Sequence, residues 1–123
     1  MTSLKDYLKQ QGINYDEALV YCDESVEQYI QIVLIFYSEI PSQIQKLDLY
    51  SKREDWKNYR ITVHSIKASA RTLGASQLYS MAYEHEMAAK SEDGVYILSH
   101  LNEIRFESEH VREIFSNIVK SVS

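Results

Sequence analysis

The stretch VEQYIQIVLIFYSEIPSQIQKL, residues 26–47, decides the fold. Within it Val26, Ile30, Val33, Tyr37, Ile40, Ile44 and Leu47 recur at alternating steps of four and three, the spacing that lays apolar side chains along one face of a helix. Tyr29, Ile32 and Phe36 form a second apolar strip beside that seam. Packing against preceding helices is its expected use, with a partner surface as the alternative. Pro41 falls inside the seam, where it is expected to kink one helix near residues 37–40 and not to begin another. Asp23 is the expected N-cap, with Glu24 and Glu27 in the first turn, where the helix dipole favours carboxylates.

The same periodicity continues outward. Downstream, Tyr59, Val63, Ile66, Ala70 and Leu73 make the apolar stripe of a helix over residues 55–73 that Gly74 ends. Ser76 is expected to cap a helix to residue 90, with Leu78, Met81, Ala82, His85 and Ala89 inward. After a turn at residues 91–94, Ile97, Leu101, Ile104, Ser108, Val111, Phe115, Ile118 and Val122 form a last seam. Upstream, one short helix opens at Ser3 and closes at Gly12, and another covers residues 15–21. With three Gly, one Pro and no sustained period-two alternation, strands have no support. The expectation is an all-α protein: an antiparallel four-helix bundle with one or two short N-terminal helices. It forms one domain over residues 1–123, with residues 1–22 the short helices and 23–123 the bundle.

Composition narrows the function. The single cysteine, Cys22, leaves no intrachain disulfide or cysteine-based metal site and suits a reducing cytoplasm. No apolar run reaches the ~18 residues of a membrane span, and the first residues carry an acid within their only apolar stretch, unlike a signal peptide. A cytoplasmic protein without membrane contact is expected. The net charge of −5 argues against nucleic acid as a partner. Residues 52–71 nevertheless hold Lys52, Arg53, Lys57, Arg60, Lys67 and Arg71 against Glu54 and Asp55, a local charge of +4 that leaves −9 on the rest. So short a basic cluster suits a small anion or an acidic protein face better than a duplex.

That cluster has a histidine at its centre. Arg60, His64, Lys67 and Arg71 fall at i, i+4, i+7 and i+11, so they form a stripe separate from the apolar one. The imidazole is aimed away from the core with cations one turn before it and one and two turns after it. Other chemistries lack their parts. A di-metal bundle needs two Glu-x-x-His motifs, and only Glu107-Ser108-Glu109-His110 matches. His85-Glu86 is followed by Met87, Ala88 and Ala89, which is no zinc-protease motif. There is no Gly-rich phosphate loop and no serine nucleophile turn. Neither a metal nor a cofactor is expected. His85 reads as a core residue, and His100 and His110 as surface residues flanking the last seam.

His64-Ser65-Ile66-Lys67-Ala68-Ser69-Ala70-Arg71-Thr72-Leu73-Gly74, with Asp55-Trp56 upstream and Leu78 and Glu86 on the next helix, resembles the histidine-containing phosphotransfer (HPt) domain family. The resemblance runs from Gly12 to the C-terminus. Two positions depart from the family pattern: Ala68 stands where the family has Gly, and His85 where an aliphatic residue is usual. The resemblance implies that His64 is the phosphoacceptor and that Lys67 stabilises the phosphoryl oxygens; Arg71, on the same basic stripe, would spread further positive charge over them. Arg60, Ala68 and Glu86 would belong to the partner-binding surface. It also implies a monomeric carrier without kinase activity of its own, in a His-Asp phosphorelay. The partners would be receiver domains of response regulators or hybrid kinases, and Mg²⁺ would sit on the receiver alone. The phosphorylatable domain of chemotaxis-type kinases shares the His-x-x-Lys pattern within much longer chains. The alternative reading is a pseudo-HPt module that binds receivers or other signalling proteins without being phosphorylated.

Overall fold

The computed structural model describes residues 3–122. Among them are six helices: α1 (Leu4–Gln10), α2 (Tyr15–Tyr21), α3 (Val26–Lys52), α4 (Trp56–Leu73), α5 (Ser76–Lys90) and α6 (Gly94–Val122). The four long helices are joined by two- or three-residue links, too short for anything but antiparallel neighbours. Each packs on the next in chain order, and α6 closes back on α3 to complete the bundle. No described helix is long and apolar enough to cross a membrane.

The α4 stripe is buried throughout: Tyr59, Val63, Ile66, Ala70 and Leu73 are all inaccessible. On α5, Leu78, Ala82, His85 and Ala89 are buried and Met81 is partly so. On α6 the seam is buried or partly buried from Ile97 to Ile118, but Val122 is exposed.

Helix α3 departs from its sequence pattern at its N-terminal half. The fully buried line there is Tyr29, Val33, Phe36 and Ile40, whereas Val26 is exposed and Ile30 and Tyr37 are half-buried. Tyr15 on α2 meets the Tyr29 ring edge-on at 5.0 Å, and Phe115 on α6 meets both Tyr29 and Phe36. The second apolar strip is therefore packing against the N-terminal helices and α6. The cap also differs. Asp23 and Glu24 both have left-handed φ, 52° and 60°, as they close the end of α2 with the Glu24 N–H donating to the Leu19 carbonyl at 2.8 Å. An N-cap needs extended backbone. Ser25 has it and accepts from the Gln28 N–H. Ser76 is likewise the first residue of α5 and not its cap; Ala75 holds that place and supplies no side-chain acceptor.

Pro41 lies within an unbroken α3. Lacking an N–H, it leaves the Tyr37 carbonyl without its intrahelical donor. Arg112 on α6 fills that vacancy: its Nε donates to the Tyr37 carbonyl at 2.8 Å, and its guanidinium lies 3.8 Å from the Tyr37 ring centroid.

The short helices are tied to the end of α4. Gly74 terminates α4 at φ 79°, and the Ala75 N–H reaches back to the Ala70 carbonyl, the left-handed closure that glycine adopts most readily. The Asn14 N–H donates to the Gly74 carbonyl at 2.9 Å, and the Tyr29 hydroxyl donates to the Leu73 carbonyl at 2.8 Å. Leu8, Tyr15, Ala18 and Cys22 thereby join the same buried cluster as the bundle seams.

Candidate functional site

Helix α4 begins at Asp55, whose carboxylate accepts from the Asn58 N–H. The apolar stripe docks α4 against the bundle and leaves His64 on the outer side with a side chain 62% exposed. Glu86 on α5 lies beneath it with a side chain only 6% exposed. Glu86 Oε2 is 2.5 Å from His64 Nδ1, and Oε1 is 2.9 Å from Lys67 Nζ. One carboxylate thus holds two stripe residues. Burial alone would raise the Glu86 pKa; the hydrogen bonds from Lys67 and His64, with their charges, outweigh it and set the pKa below the usual carboxylate range.

Those partners fix the tautomer. An ionised carboxylate can only accept, so Nδ1 carries the proton and donates it to Oε2. In the neutral ring Nε2 then keeps its lone pair. It lies on the side of an exposed imidazole away from the buried carboxylate.

The cross-helix pairs step in opposite directions along α4 and α5. Lys67 lies over the Tyr83 ring, 5.7 Å from its centroid, and His64 meets Glu86. One turn further, Arg60 and Lys90 line a surface depression of about 260 Å³ together with Ile61, His64 and Glu86. Lys90 is not prominent in the sequence. Its signal is its spacing, four residues after Glu86 and so on the same face of α5. On the flank towards α3, Gln43 donates to the Ser65 hydroxyl at 3.1 Å. Ala68, one turn beyond His64, is exposed.

Two expected positions differ. Glu86 has almost no surface to present to a partner and instead faces the imidazole and Lys67. Arg71 is seven residues from His64, about 10 Å along the helix. It is drawn towards α2, where its Nε donates to the Tyr21 hydroxyl at 3.0 Å and its guanidinium lies 5.1 Å from that ring's centroid. It lines a separate depression with Glu17, Tyr21, Tyr79 and Ser80. The structure gathers His64, Lys67 and Glu86 directly, sets Arg60 beside them, and leaves Arg71 outside the group.

The other histidines have different surroundings. His85 is buried, its Nδ1 hydrogen-bonded to the Tyr59 hydroxyl at 2.8 Å. Burial, with His100 nearby, pushes its pKa down to about 4. His100 Nδ1 is 2.8 Å from the Tyr96 carbonyl. His110 pairs with Glu107 of its own helix at 3.1 Å.

An exposed nucleophilic nitrogen, backed by a buried carboxylate and bordered by cations, is equipped to receive a phosphoryl group. A family model for the Hpt domain matches residues 31–113, well over half of the chain. The chain belongs to the Hpt domain family. Hpt domains are phosphocarrier modules of histidine phosphotransfer in phosphorelay signalling, and they are helical bundles, as this chain is. The Hpt match takes in α4 and α5 entirely, most of α3 and much of α6, and leaves α1 and α2 outside. No curated protein and no solved structure matches the chain.

Proposed function

We propose that this Hpt protein accepts a phosphoryl group on His64 from the aspartyl phosphate of a receiver domain and passes it to a second receiver. It acts as a monomeric single domain in the cytoplasm, without kinase activity of its own. The observation that carries the reading is the chain from His64 Nδ1 through the Glu86 carboxylate to Lys67 Nζ. The Nε2 lone pair attacks phosphorus, the N–P bond forms, and the acyl P–O bond breaks with its electron pair leaving on the aspartate. The ring gains positive character as this happens. The Nδ1 proton stays in its hydrogen bond, and the Glu86 carboxylate stabilises that developing charge. Lys67 keeps Glu86 ionised and in place, so both act as positioning residues behind the nucleophile. Magnesium would be held by the receiver, where it would neutralise charge on the phosphoryl group.

Transfer from a radiolabelled receiver aspartyl phosphate to wild type and to His64→Gln tests this directly. Acid-labile, base-stable label on wild type and none on the variant is the expected result. Label that survives in His64→Gln would move the acceptor to another residue. A wild type that binds receivers yet takes no label would make the chain a pseudo-HPt module, the reading that Ala68 in place of the family's Gly keeps open.

A further inference from the structure

A groove of about 510 Å³ runs between α3 and α6. It is larger than the depressions beside His64 and Arg71, about 260 and 290 Å³, and has the size of a small-molecule site. Helix α3 packs on α4 and α6, and α5 packs on the same two helices, so the groove lies across the bundle from the α4–α5 side that carries His64. Its charges are unevenly satisfied. Arg112 is committed to the Tyr37 carbonyl and ring. Arg105 is held loosely: its Nε is buried without a hydrogen-bond partner among the described residues. Asp48 Oδ1 stands 3.5 Å from that Nε, and Asn102 Oδ1 stands 3.5 Å from Nη1, both longer than a well-formed N–H···O bond. A buried charged donor left in this state is costly and uncommon. One and two turns along α6, Glu109 and Glu113 line the same groove, exposed and without an ion pair among the described residues.

We infer that this groove binds a basic amino acid, with L-lysine as the type. The groups match one to one. The guanidinium edge of Arg105 receives the α-carboxylate through two N–H donors. Asp48 beside it receives the α-ammonium, so the ligand's adjacent opposite charges meet a pair of side chains 3.5 Å apart. The aliphatic stem lies along Pro41 and Ile44, and the ε-ammonium reaches Glu109 and Glu113. Those two residues are about 6 Å and about 12 Å from Arg105 along the helix axis. The two values bracket the roughly 7 Å between the carboxylate and the ε-ammonium of an extended lysine. A simple anion would be repelled by three carboxylates, and a simple diamine would leave the Arg105 donors unmet. The charge pattern selects a ligand that carries both signs.

Titration of the ¹⁵N-labelled protein with L-lysine, followed by amide shifts, is the test. Saturable shifts around the groove on α3 and α6 are expected, with a dissociation constant below about 1 mM. L-Norleucine, which lacks the ε-ammonium, and L-lysinamide, which lacks the carboxylate, should bind at least about tenfold more weakly. The same loss is expected for L-lysine with Arg105→Gln and with Glu109→Gln/Glu113→Gln, helicity being checked for each. Glu27→Gln/Glu84→Gln, the same change of charge away from the groove, should stay within about twofold of wild type. No saturable shift up to about 10 mM L-lysine overturns the inference, as do shifts confined to other helices or L-norleucine or L-lysinamide binding as tightly as L-lysine. An equal loss in Glu27→Gln/Glu84→Gln overturns it too, because net charge would then be the cause. None of these readouts involves His64, so neither result bears on the proposed relay.

Discussion

Replacing Gly74 by alanine should destabilise the protein far more than the same change at Gly12, and the difference measures how firmly α1 and α2 are tied to the bundle. Both glycines have left-handed φ, 79° and 82°, so each variant carries the left-handed cost of about 1 kcal/mol. Around Gly12 no atom of the described residues lies within 4 Å of an added Cβ, and the cost ends there. At Gly74 the Cβ would come within 2.3 Å of the Asn14 carbonyl oxygen and 2.8 Å of the Asn14 carbonyl carbon. These are backbone atoms that no rotamer change can move. Relief requires the segment joining α1 to α2 to withdraw, which breaks the Asn14 N–H to Gly74 carbonyl bond, worth about 1 kcal/mol. Repacking of the displaced helices adds about 1–2 kcal/mol. Gly74→Ala is thus expected to lose about 3–4 kcal/mol against about 1 for Gly12→Ala, read from urea midpoints at unchanged slope. Amide exchange should show the extra loss concentrated in α1 and α2. Equal losses in the two variants would refute the reasoning, because the contact with Asn14 would then carry no energy.

Ser108 is fully buried on α6 and its hydroxyl has no hydrogen-bond partner among the described residues, so Ser108→Ala should raise unfolding stability by about 1 kcal/mol in urea titration; a loss would mean that the hydroxyl is bonded. His85, with its folded pKa depressed to about 4, is neutral in the fold while the unfolded chain takes up a proton below about pH 6.5. Its contribution is complete above that value and is lost as pH falls to about 4, by roughly 3 kcal/mol. Unfolding titrations of wild type and His85→Leu at pH 7 and pH 4.5 should show that part of the acid loss disappear in the variant. Arg71→Ala should leave phosphoramidate labelling of His64 within about twofold, since the guanidinium is held at Tyr21 about 10 Å along the helix. A tenfold loss would return Arg71 to the acceptor site.

Helix α4 was the most legible part of the chain because two independent patterns agree on it. The apolar stripe from Tyr59 to Leu73 and the polar stripe through His64 specify which face is buried without reference to any neighbour. The start of α3 was less legible. Asp23 has the chemistry of an N-cap, but its backbone is taken up in closing α2, and a residue cannot do both. The buried line of α3 passes through Tyr29 and Phe36 because Tyr15 and Phe115 arrive from elsewhere in the chain. The site shows the same limit. One helix's periodicity placed Arg60, His64, Lys67 and Arg71 on a stripe, yet which of them share a site depends on the facing helices: α2 draws Arg71 away, while α5 brings Glu86 beneath the ring and Lys90 to its edge. That register between helices has no signature in a single stripe.

The central claim is that Glu86 holds the Nδ1 proton of His64 and so reserves Nε2 for phosphorus. Long-range ¹H–¹⁵N correlation spectra of the ¹⁵N-labelled protein, recorded near pH 8 before and after treatment with phosphoramidate, test it most directly. Before treatment the account predicts a His64 ring protonated at Nδ1 and bare at Nε2, a tautomer preference that weakens in Glu86→Ala. After treatment it predicts phosphorus on Nε2 of His64, with Nδ1 still protonated and the other three rings unchanged. A His64 ring protonated at Nε2 before treatment, phosphorus on Nδ1, or phosphorus on His85, His100 or His110 would contradict it.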